Sequence, residues 1–534
     1  MSINDVLTRL ERDPLLGNLM LPGQIQKLFE CAQKVPDGGL ILEIGSFLGA
    51  SSIALALGCL GTSKRVICVD TFEGNSTDFV KGNNNVWWNG NSYLPLFSKN
   101  LERYGVQNVV VPVVGNSGQI AVDWHQDLDL LFIDGDHTIE GCTADLFNYV
   151  PFLRNNGLLL IHDVLPDREH LISVCTRMIE HNMRKKENFK GLEILQKTTE
   201  LKGKQWILIP TYRETKVLKR LLIALDPNNL VNKEVVLIDD GADTQLKTFI
   251  CEQYPQVKYI VGNGENFWGG SLDLGLNAIS SQRSDEDVVF LVNADGLVTD
   301  HDLNNLLSVF QNQPFGNTAF GFSGKIEGSD TIVDNGGYID WSPQRLGRGA
   351  ILDKTRRKAN LVMVDAIFGR ASIFPAKLFN SLGMRFRDTG FNHYWSDTAF
   401  CLDAYQLHQT AFYIDATHTV AIQEREIDKK TRTIIEAYQD CFQNKKPSNY
   451  NIKNRIKFIR KYFPGRNPVS ASYYYSILSV LDSFKNVPFL SLPIRFIRFF
   501  YARRITRQIF YKMCSPFERK NMTPTQANTD KTDS

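Results

Sequence analysis

The residues of this chain best suited to chemistry stand where short apolar runs end. LILEIGSFLGASS carries Glu43, Gly45, Ser46 and Gly49, RVICVDTF carries Asp70, LLFIDGDHT carries Asp134, and LLLIHDV carries His162 and Asp163. Glycines in a turn that opens a helix let a ligand approach the backbone and leave free N–H groups to meet it. The spacing Gly45-x-x-x-Gly49 is not the GxGxxG that clamps a pyrophosphate, so a nucleoside ligand without one fits better. Asp70 stands where an acidic side chain accepts both hydroxyls of a ribose. A second set follows: Thr211, Tyr212 and Glu214 in QWILIPTYRE, Asp239 and Asp240 in EVVLIDDGAD, Asn293 and Asp295 in VFLVNADGLV, Asp397 in YWSDTAF and His418 in FYIDATHTV. Carboxylates at several strand ends are what a metal–diphosphate site requires, because a diphosphate leaving group concentrates negative charge that a divalent cation offsets.

The elements that must position these groups read as α/β. Apolar runs at Leu40–Ile44, Arg65–Val69, Val109–Val114, Leu128–Ile133 and Leu158–Ile161 alternate with helical spacing at Ala50–Leu60 and Thr138–Leu153. Near-continuous apolar strands between helices predict a parallel sheet covered on both faces. A second series restarts with Trp206–Ile209, Glu234–Ile238, Val257–Val261 and Val288–Val292, with helical patterns at Lys216–Leu225 and Asp302–Gln311. This second series begins after the lysine-rich stretch near 185–205, with the boundary expected near residue 202. A chain of 534 residues exceeds one core. The expected division is 1–201 and 202–435 as two Rossmann-like domains, 436–520 as a basic amphipathic helical extension, and 521–534 as a disordered tail.

ExGxxxGxS, then VD, then IDGDHTxEG with NNGLLLIHDV resembles the class I S-adenosylmethionine-dependent methyltransferases, closest to the O-methyltransferases with the IDGDH signature, over roughly residues 20–200. The resemblance implies that Glu43, Gly45, Ser46 and Gly49 line the methionine side of the cofactor, that Asp70 takes its ribose, and that Asn116 and Ser117 lie near the adenine. It also implies Asp134 and His162 as catalytic groups and Asp134 with Asp163 as ligands of Mg²⁺, His162 serving as base or as a further ligand, although metal-dependent relatives often carry two adjacent carboxylates where this chain has His162–Asp163.

PTYRE, IDDGA, GNGENFWGGSLDLGLN, NAD, and SD followed by a late histidine resemble the inverting family-2 glycosyltransferases of the GT-A fold, rhamnosyltransferase-like members in particular. That likeness implies nucleoside contacts from Thr211, Tyr212 and Glu214, a base contact from Asp239, and a donor-sugar loop at Trp268, Gly269 and Gly270. It implies Asn293 in the donor site, a divalent metal (Mg²⁺ or Mn²⁺) on Asp295 and His418, and Asp397 as general base. The usual DxD is Asn293-Ala294-Asp295 here, which costs one charge. Plainer roles suit the same residues: Asp239 and Asp240 as turn or cap residues, His418 as a hydrogen-bonded structural histidine, Trp268 and Trp395 as core aromatics.

Composition bounds the rest. Hydrophobic content of 43% and charged content of 22% are ordinary for a globular chain, and no signal peptide or eighteen-residue apolar run is visible. Nine cysteines without CxxC spacing read as reduced thiols of a cytoplasmic protein. Residues 441–520 hold 17 Lys and Arg against 2 Asp and Glu, on a chain whose net charge is +2. Arg495, Arg498, Arg503, Arg504 and Arg507 alternate there with Phe496, Ile497, Phe499, Phe500 and Ile505, as in helices that rest on anionic lipid. The expectation is a bifunctional transferase of surface-glycan assembly at the inner face of the cytoplasmic membrane. It takes a nucleotide-sugar donor and a glycan or polyprenyl-linked acceptor, and no nucleic acid. The competing expectation is a glycosyltransferase whose first domain is a non-catalytic glycan-binding module.

Overall fold

The computed structural model describes residues 2–16, 20–73, 92–198, 203–330, 332–334, 336–340, 345–348, 357–358, 361–391, 396–423, 457 and 461–462. Trp395, nearly all of the basic extension and the C-terminal tail lie outside the described residues. The chain divides into two compact units: Met1–Glu200 with Ser308–Gly316 and Arg357–Ala359, and the remainder.

The first unit runs α1 (Ile3–Glu11), α2 (Gln24–Lys34), β1 (Leu40–Ile44), α3 (Ala50–Leu57), β2 (Arg65–Asp70), α4 (Leu94–Tyr104), β3 (Val110–Val114), α5 (Ser117–Ile120), β4 (Leu128–Ile133), α6 (Ile139–Tyr149), β5 (Leu153–Ile161), α7 (Glu169–His181), β6 (Met183–Phe189) and β7 (Leu192–Lys197). Its sheet order is β3-β2-β1-β4-β5-β7-β6, parallel through β5 and antiparallel beyond it. All six residues of β4 are buried. Ile41, Leu130 and Phe132 enter one core with α2 and α3, while Leu42, Leu131 and Ile133 enter another with α6 and α7. Apolar residues in succession thus serve opposite faces, as a sheet covered on both sides demands.

The lysine-rich stretch belongs to the first unit, which runs to Glu200, beside the expected boundary near residue 202. Lys185, Lys186 and Glu187 are exposed residues of β6, the edge of this sheet, and β7 beside it is almost wholly buried. Charged side chains on an edge strand deter pairing with another chain. β6 and β7 form the antiparallel hairpin that completes the first domain.

From residue 205 the chain runs β8 (Gln205–Thr211), α8 (Thr215–Leu225), β9 (Lys233–Asp239), α9 (Thr244–Gln253), β10 (Lys258–Val261), α10 (Phe267–Ala278), β11 (Val288–Leu291), β12 (Gly296–Leu297), α11 (Asp300–Asn312), β13 (Thr318–Ile326) and, later, α12 (Ser396–His408). β10-β9-β8-β11 is parallel, and the sheet continues through Ser372–Pro375, β13, Ala411–Ile422 and Leu361–Val364 in mixed orientation. In each sheet the strand order reverses beside the first strand of the series, at β1/β4 and at β8/β11. Ligands of open α/β sheets bind beyond the carboxyl ends of the strands at such a reversal.

Among the described residues seven cysteines are free, six of them buried, and no helix is long and apolar enough to cross a membrane.

Candidate functional sites

At the first reversal the backbone is drawn tight. The Gly45 N–H donates to the Val69 carbonyl at 2.9 Å and the Asp134 N–H to the Ile44 carbonyl at 2.9 Å. Gly45 has φ +86°, and a Cβ there would overlap the Asp134 carbonyl oxygen, so only glycine fits. Asp70 organises this turn. Its Oδ2 accepts the N–H groups of Ser46 and Phe47, each at 2.8 Å, while Oδ1 accepts the Phe72 N–H at 2.7 Å and the Tyr93 hydroxyl at 3.2 Å. Phe47 and Phe72 hold φ of +45° and +54°, conformations that non-glycine residues reach only at a cost.

Glu43 is not at the mouth. It is fully buried beneath α3, where the Ser52 hydroxyl donates to its Oε2 and the Cys68 thiol does so at 3.1 Å. Burial raises its pKa against the opposing pull of those donors. The expectation that Glu43 lines the cofactor is therefore corrected: β1 alternates, and residue 43 shares the face of Ile41, not that of the turn. Gly49, with φ +94°, caps α3. Asn116 is the N-cap of α5, accepting the Gly118 N–H at 2.9 Å, and the Ser117 hydroxyl donates to Asp145 at 2.6 Å.

Asp134, His162 and Asp163 do come together. His162 Nδ1 lies 2.9 Å from Asp134 Oδ1 and 3.5 Å from Asp163 Oδ1, and its Nε2 lies 3.1 Å from Gln24 Oε1. Burial opposes the imidazolium, yet the charge and hydrogen bond of Asp134, joined by Asp163, raise the His162 pKa. Both ring nitrogens of His162 are engaged, and its side chain is 8% exposed. The spacing alone did not bring out His137 and Arg168, although His137 stands within the IDGDHT motif. His137 Nε2 is 3.6 Å from both Asp134 and Asp163, and Arg168 pairs with Asp163 at 2.9 Å. An imidazole thus stands between the two carboxylates, and a guanidinium holds Asp163. Among the described residues no group of three or more His, Cys, Asp or Glu side chains could hold a metal.

In the second unit Asp239 is fully buried. It accepts the N–H groups of Gly241 and Asp243 at 2.9 and 2.7 Å and the Tyr259 hydroxyl at 2.5 Å. Its expected contact with a base is thus replaced by a turn role, because both oxygens serve the loop that follows β9. Asp240 does the same for the next loop, accepting the N–H groups of Gly264, Asn266 and Phe267 and the Asn266 amide. Thr211 ends β8 with its hydroxyl buried and without a hydrogen-bond partner. Tyr212 is half exposed under Arg213, which has φ +54°, and Glu214 is the N-cap of α8.

Trp268, Gly269, Gly270, Asn293, Asp295 and the start of α12 converge. The Trp268 indole donates to Asn293 Oδ1 at 2.7 Å. A Cβ on Gly269 would lie 3.3 Å from Ser396 Oγ, which sets the α10 start beside Asp397 in the first turn of α12. A Cβ on Gly270 would come within 2.5 Å of the Arg387 guanidinium, whose Nη2 bonds Asn266 and whose backbone N–H is held by buried Asp273 at 2.9 Å. Asp295 is buried, with Arg370 Nε at 3.9 Å. Arg370 and Arg387 carried no sequence signal, being scattered basic residues outside any motif.

His418 is the exception. Gly296 pairs with Ile422 and Leu297 with Ala421 in an antiparallel ladder, so the strand runs away from Asp295 on its way back to His418. Four residues of strand put His418 roughly 13 Å along from Ile422 at about 3.3 Å per residue. His418 Nε2 instead meets Asp302 Oδ1 at 2.7 Å and stacks by Phe322. The shared Asp295–His418 metal site is corrected accordingly, and His418 ties its strand to the first turn of α11.

Each of the two Rossmann-like units gathers acidic side chains at the carboxyl ends of its parallel strands. Family models agree with this division: residues 42–164 match a methyltransferase domain and residues 206–374 match glycosyl transferase family 2. The chain carries a class I methyltransferase domain followed by a family-2 glycosyltransferase domain. Similar solved structures include the SAH-bound methyltransferase PaMTH1 of Podospora anserina, 17% identical, covering 37% of this chain and 90% of its own, with a TM-score of 0.28. Another is the O-methyltransferase TomG of Streptomyces achromogenes, solved with SAM: 18% identical, covering 37% of this chain and 91% of its own, with a TM-score of 0.27.

Proposed function

We propose that the two domains act in one glycan pathway, the second transferring a sugar from a nucleotide-sugar donor with inversion and the first methylating a hydroxyl of the product. The observation that carries this reading is the presence of both transferase domains in one chain, each with carboxylates at its sheet reversal. A surface glycan, free or polyprenyl-linked, is the acceptor proposed, and the basic stretch 441–520 is proposed to rest on anionic lipid at the inner face of the cytoplasmic membrane.

In sugar transfer, Asp397 takes the proton of the acceptor hydroxyl as that oxygen bonds the anomeric carbon. The bond from that carbon to the diphosphate breaks on the opposite side, which inverts the centre. Thr211, Tyr212 and Glu214 hold the nucleoside, and Trp268 with Gly269 and Gly270 walls the sugar. A magnesium ion, commonly held by one or two carboxylates plus substrate phosphates, would be held by Asp295 and would offset the charge of the leaving diphosphate. In the first domain the Gly45–Gly49 turn, with Asn116 and Ser117, would hold S-adenosylmethionine, which would supply the methyl group. Asp134, oriented by His162, takes the proton of the acceptor hydroxyl.

The test is mass spectrometry of acceptor glycan incubated with the full chain, S-adenosylmethionine and a panel of nucleotide sugars. Asp397→Asn should lose sugar transfer by at least about a hundredfold with methylation retained, and Asp134→Asn the reverse. A methylated product from Asp134→Asn at the wild-type rate, or sugar transfer at the wild-type rate by Asp397→Asn, refutes the assigned role.

A further inference from the structure

Among the described residues, three side chains of the basic extension reach the elements that carry Arg387 and Asp397. Lys457, Lys461 and Tyr462 are helical, and the spacing of four between the lysines is that of neighbours on one helix face. Lys457 Nζ donates to the Gly390 carbonyl at 2.5 Å and lies 5.2 Å from the centre of the Phe391 ring. Lys461 Nζ donates to the Thr389 carbonyl at 3.1 Å and to Asp403 Oδ2 at 2.7 Å. The Tyr462 hydroxyl shares its proton between the Ala399 carbonyl at 3.1 Å and Asp403 Oδ1 at 2.9 Å. An exposed lysine pair alone contributes little. Here the neighbouring Tyr462 is buried, and residues 461 and 462 together occupy both oxygens of Asp403.

The two lysines grip a turn that is fixed at its other end. Arg387–Thr389 is a short 3₁₀ turn closed by Gly390, which has φ +83°. At its start Asp273, buried in α10, accepts the N–H groups of Phe386 and Arg387, each at 2.9 Å. At its end stand the Thr389 and Gly390 carbonyls, and the last carbonyls of a helical turn are natural acceptors for lysine. A Cβ on Gly390 would lie 2.9 Å from Lys457 Nζ, so glycine both takes the left-handed conformation and leaves the ammonium its place. Ala399 shares the first turn of α12 with Asp397, and Asp403 lies one turn beyond Ala399. Lys461, bonded to Thr389 and to Asp403, therefore ties the turn that carries Arg387 to the helix that carries Asp397.

We infer that Lys457, Lys461 and Tyr462 are positioning residues for sugar transfer, a clasp that sets the Arg387 turn against α12 and through that helix fixes the place of Asp397. The inference rests on the reading of Asp397 as general base. A base must stand within hydrogen-bond reach of the hydroxyl it deprotonates, and a misplacement of about 1 Å can cost about a hundredfold in rate. Each of the three acts through a backbone carbonyl or through Asp403. Two lysines of the extension are on this account committed to the transferase fold and not to lipid.

The test is release of nucleoside diphosphate from UDP-glucose, UDP-galactose, GDP-mannose and dTDP-rhamnose by the full chain, with manganese present and water as acceptor. Rates are read well below the melting midpoint, on the donor that the wild type hydrolyses fastest. Tyr462→Phe, which keeps the buried ring, and Lys461→Met should each lower kcat by about five- to tenfold while the donor KM stays within about twofold. Lys461→Arg should return kcat to within about threefold of the wild type, since a guanidinium also donates to a carbonyl and a carboxylate together. A merely stabilising role would lower the melting midpoint and leave kcat below it unchanged, and that result in Tyr462→Phe and Lys461→Met overturns the inference. A raised donor KM with kcat unchanged overturns it as well. Wild-type kcat in both variants, joined to weaker co-sedimentation with phosphatidylglycerol vesicles, overturns it and gives these residues to a lipid surface. Where Lys461→Met unfolds at the assay temperature, Tyr462→Phe decides. Hydrolysis at the wild-type rate by Asp397→Asn, or none of the four donors hydrolysed by the wild type, would instead refute the underlying glycosyltransferase reading.

Discussion

Replacing Asp70 by asparagine probes the turn on which the first site is built. The wild-type carboxylate accepts two backbone N–H groups on Oδ2, and one backbone N–H plus a phenol on Oδ1. The amide must put its NH₂ at one of these two places. At Oδ2 it would orphan two backbone donors, so it turns to Oδ1, where Tyr93 can rotate to accept and only the Phe72 N–H is stranded. A stranded donor costs about 1–3 kcal/mol, and the bonds to Ser46 and Phe47, no longer charge-assisted, each lose about 0.5–1.5 kcal/mol. The expected total is about 2–6 kcal/mol, a fall of roughly 4–24 °C in the thermal midpoint of a unit of this size. Tyr93→Phe, which removes one bond and strands nothing fixed, should cost only about 1 kcal/mol. Thermal unfolding followed on the first unit, with S-adenosylhomocysteine affinity by calorimetry, reads both. Asp70→Asn within about 0.5 kcal/mol of the wild type would refute the claim that this carboxylate holds the turn.

Two further outcomes follow from the same geometry. The His162 pKa is raised on folding, so its stabilisation is complete below the ordinary histidine value of 6.5 and is lost as pH rises through the raised value. The midpoint difference between wild type and His162→Gln should therefore shrink as pH goes from about 6 to about 8, and a widening difference contradicts it. His418→Ala should lower stability by about 1–3 kcal/mol through the stranded Asp302 yet leave nucleotide and manganese affinity unchanged, whereas a loss of manganese affinity would restore His418 to the metal site.

The parts of the fold that were legible are those written in continuous apolar runs. Leu40–Ile44 and Leu128–Ile133 are strands over those same residues, because a doubly covered strand must be apolar at every position. The hairpin β6–β7 was hidden, since its outer strand carries its lysines to solvent and shows no apolar run. For the sites, position was readable and role was not. Glu43, Asp239 and Asp70 stand at or near strand ends, but spacing does not say whether a carboxylate faces a ligand or the N–H groups of its own turn. Burial decides that, and here Glu43 and Asp239 face inward. His418 failed for a topological reason: the direction of its strand beside Asp295 depends on a mixed-sheet connection that no local motif encodes. Asn293 looked like a weakened carboxylate position; only its bond to Trp268 reveals which end of the amide is spent.

The measurement closest to the central claim is calorimetry of the full chain with S-adenosylhomocysteine and with the preferred nucleoside diphosphate plus manganese. The wild type should bind both. Asp70→Asn should weaken only the first and Asp295→Asn only the second, each by at least about tenfold. If either ligand is not bound by the wild type, or if one substitution abolishes both in a chain that still melts cooperatively, the account of two separate transferase sites is wrong.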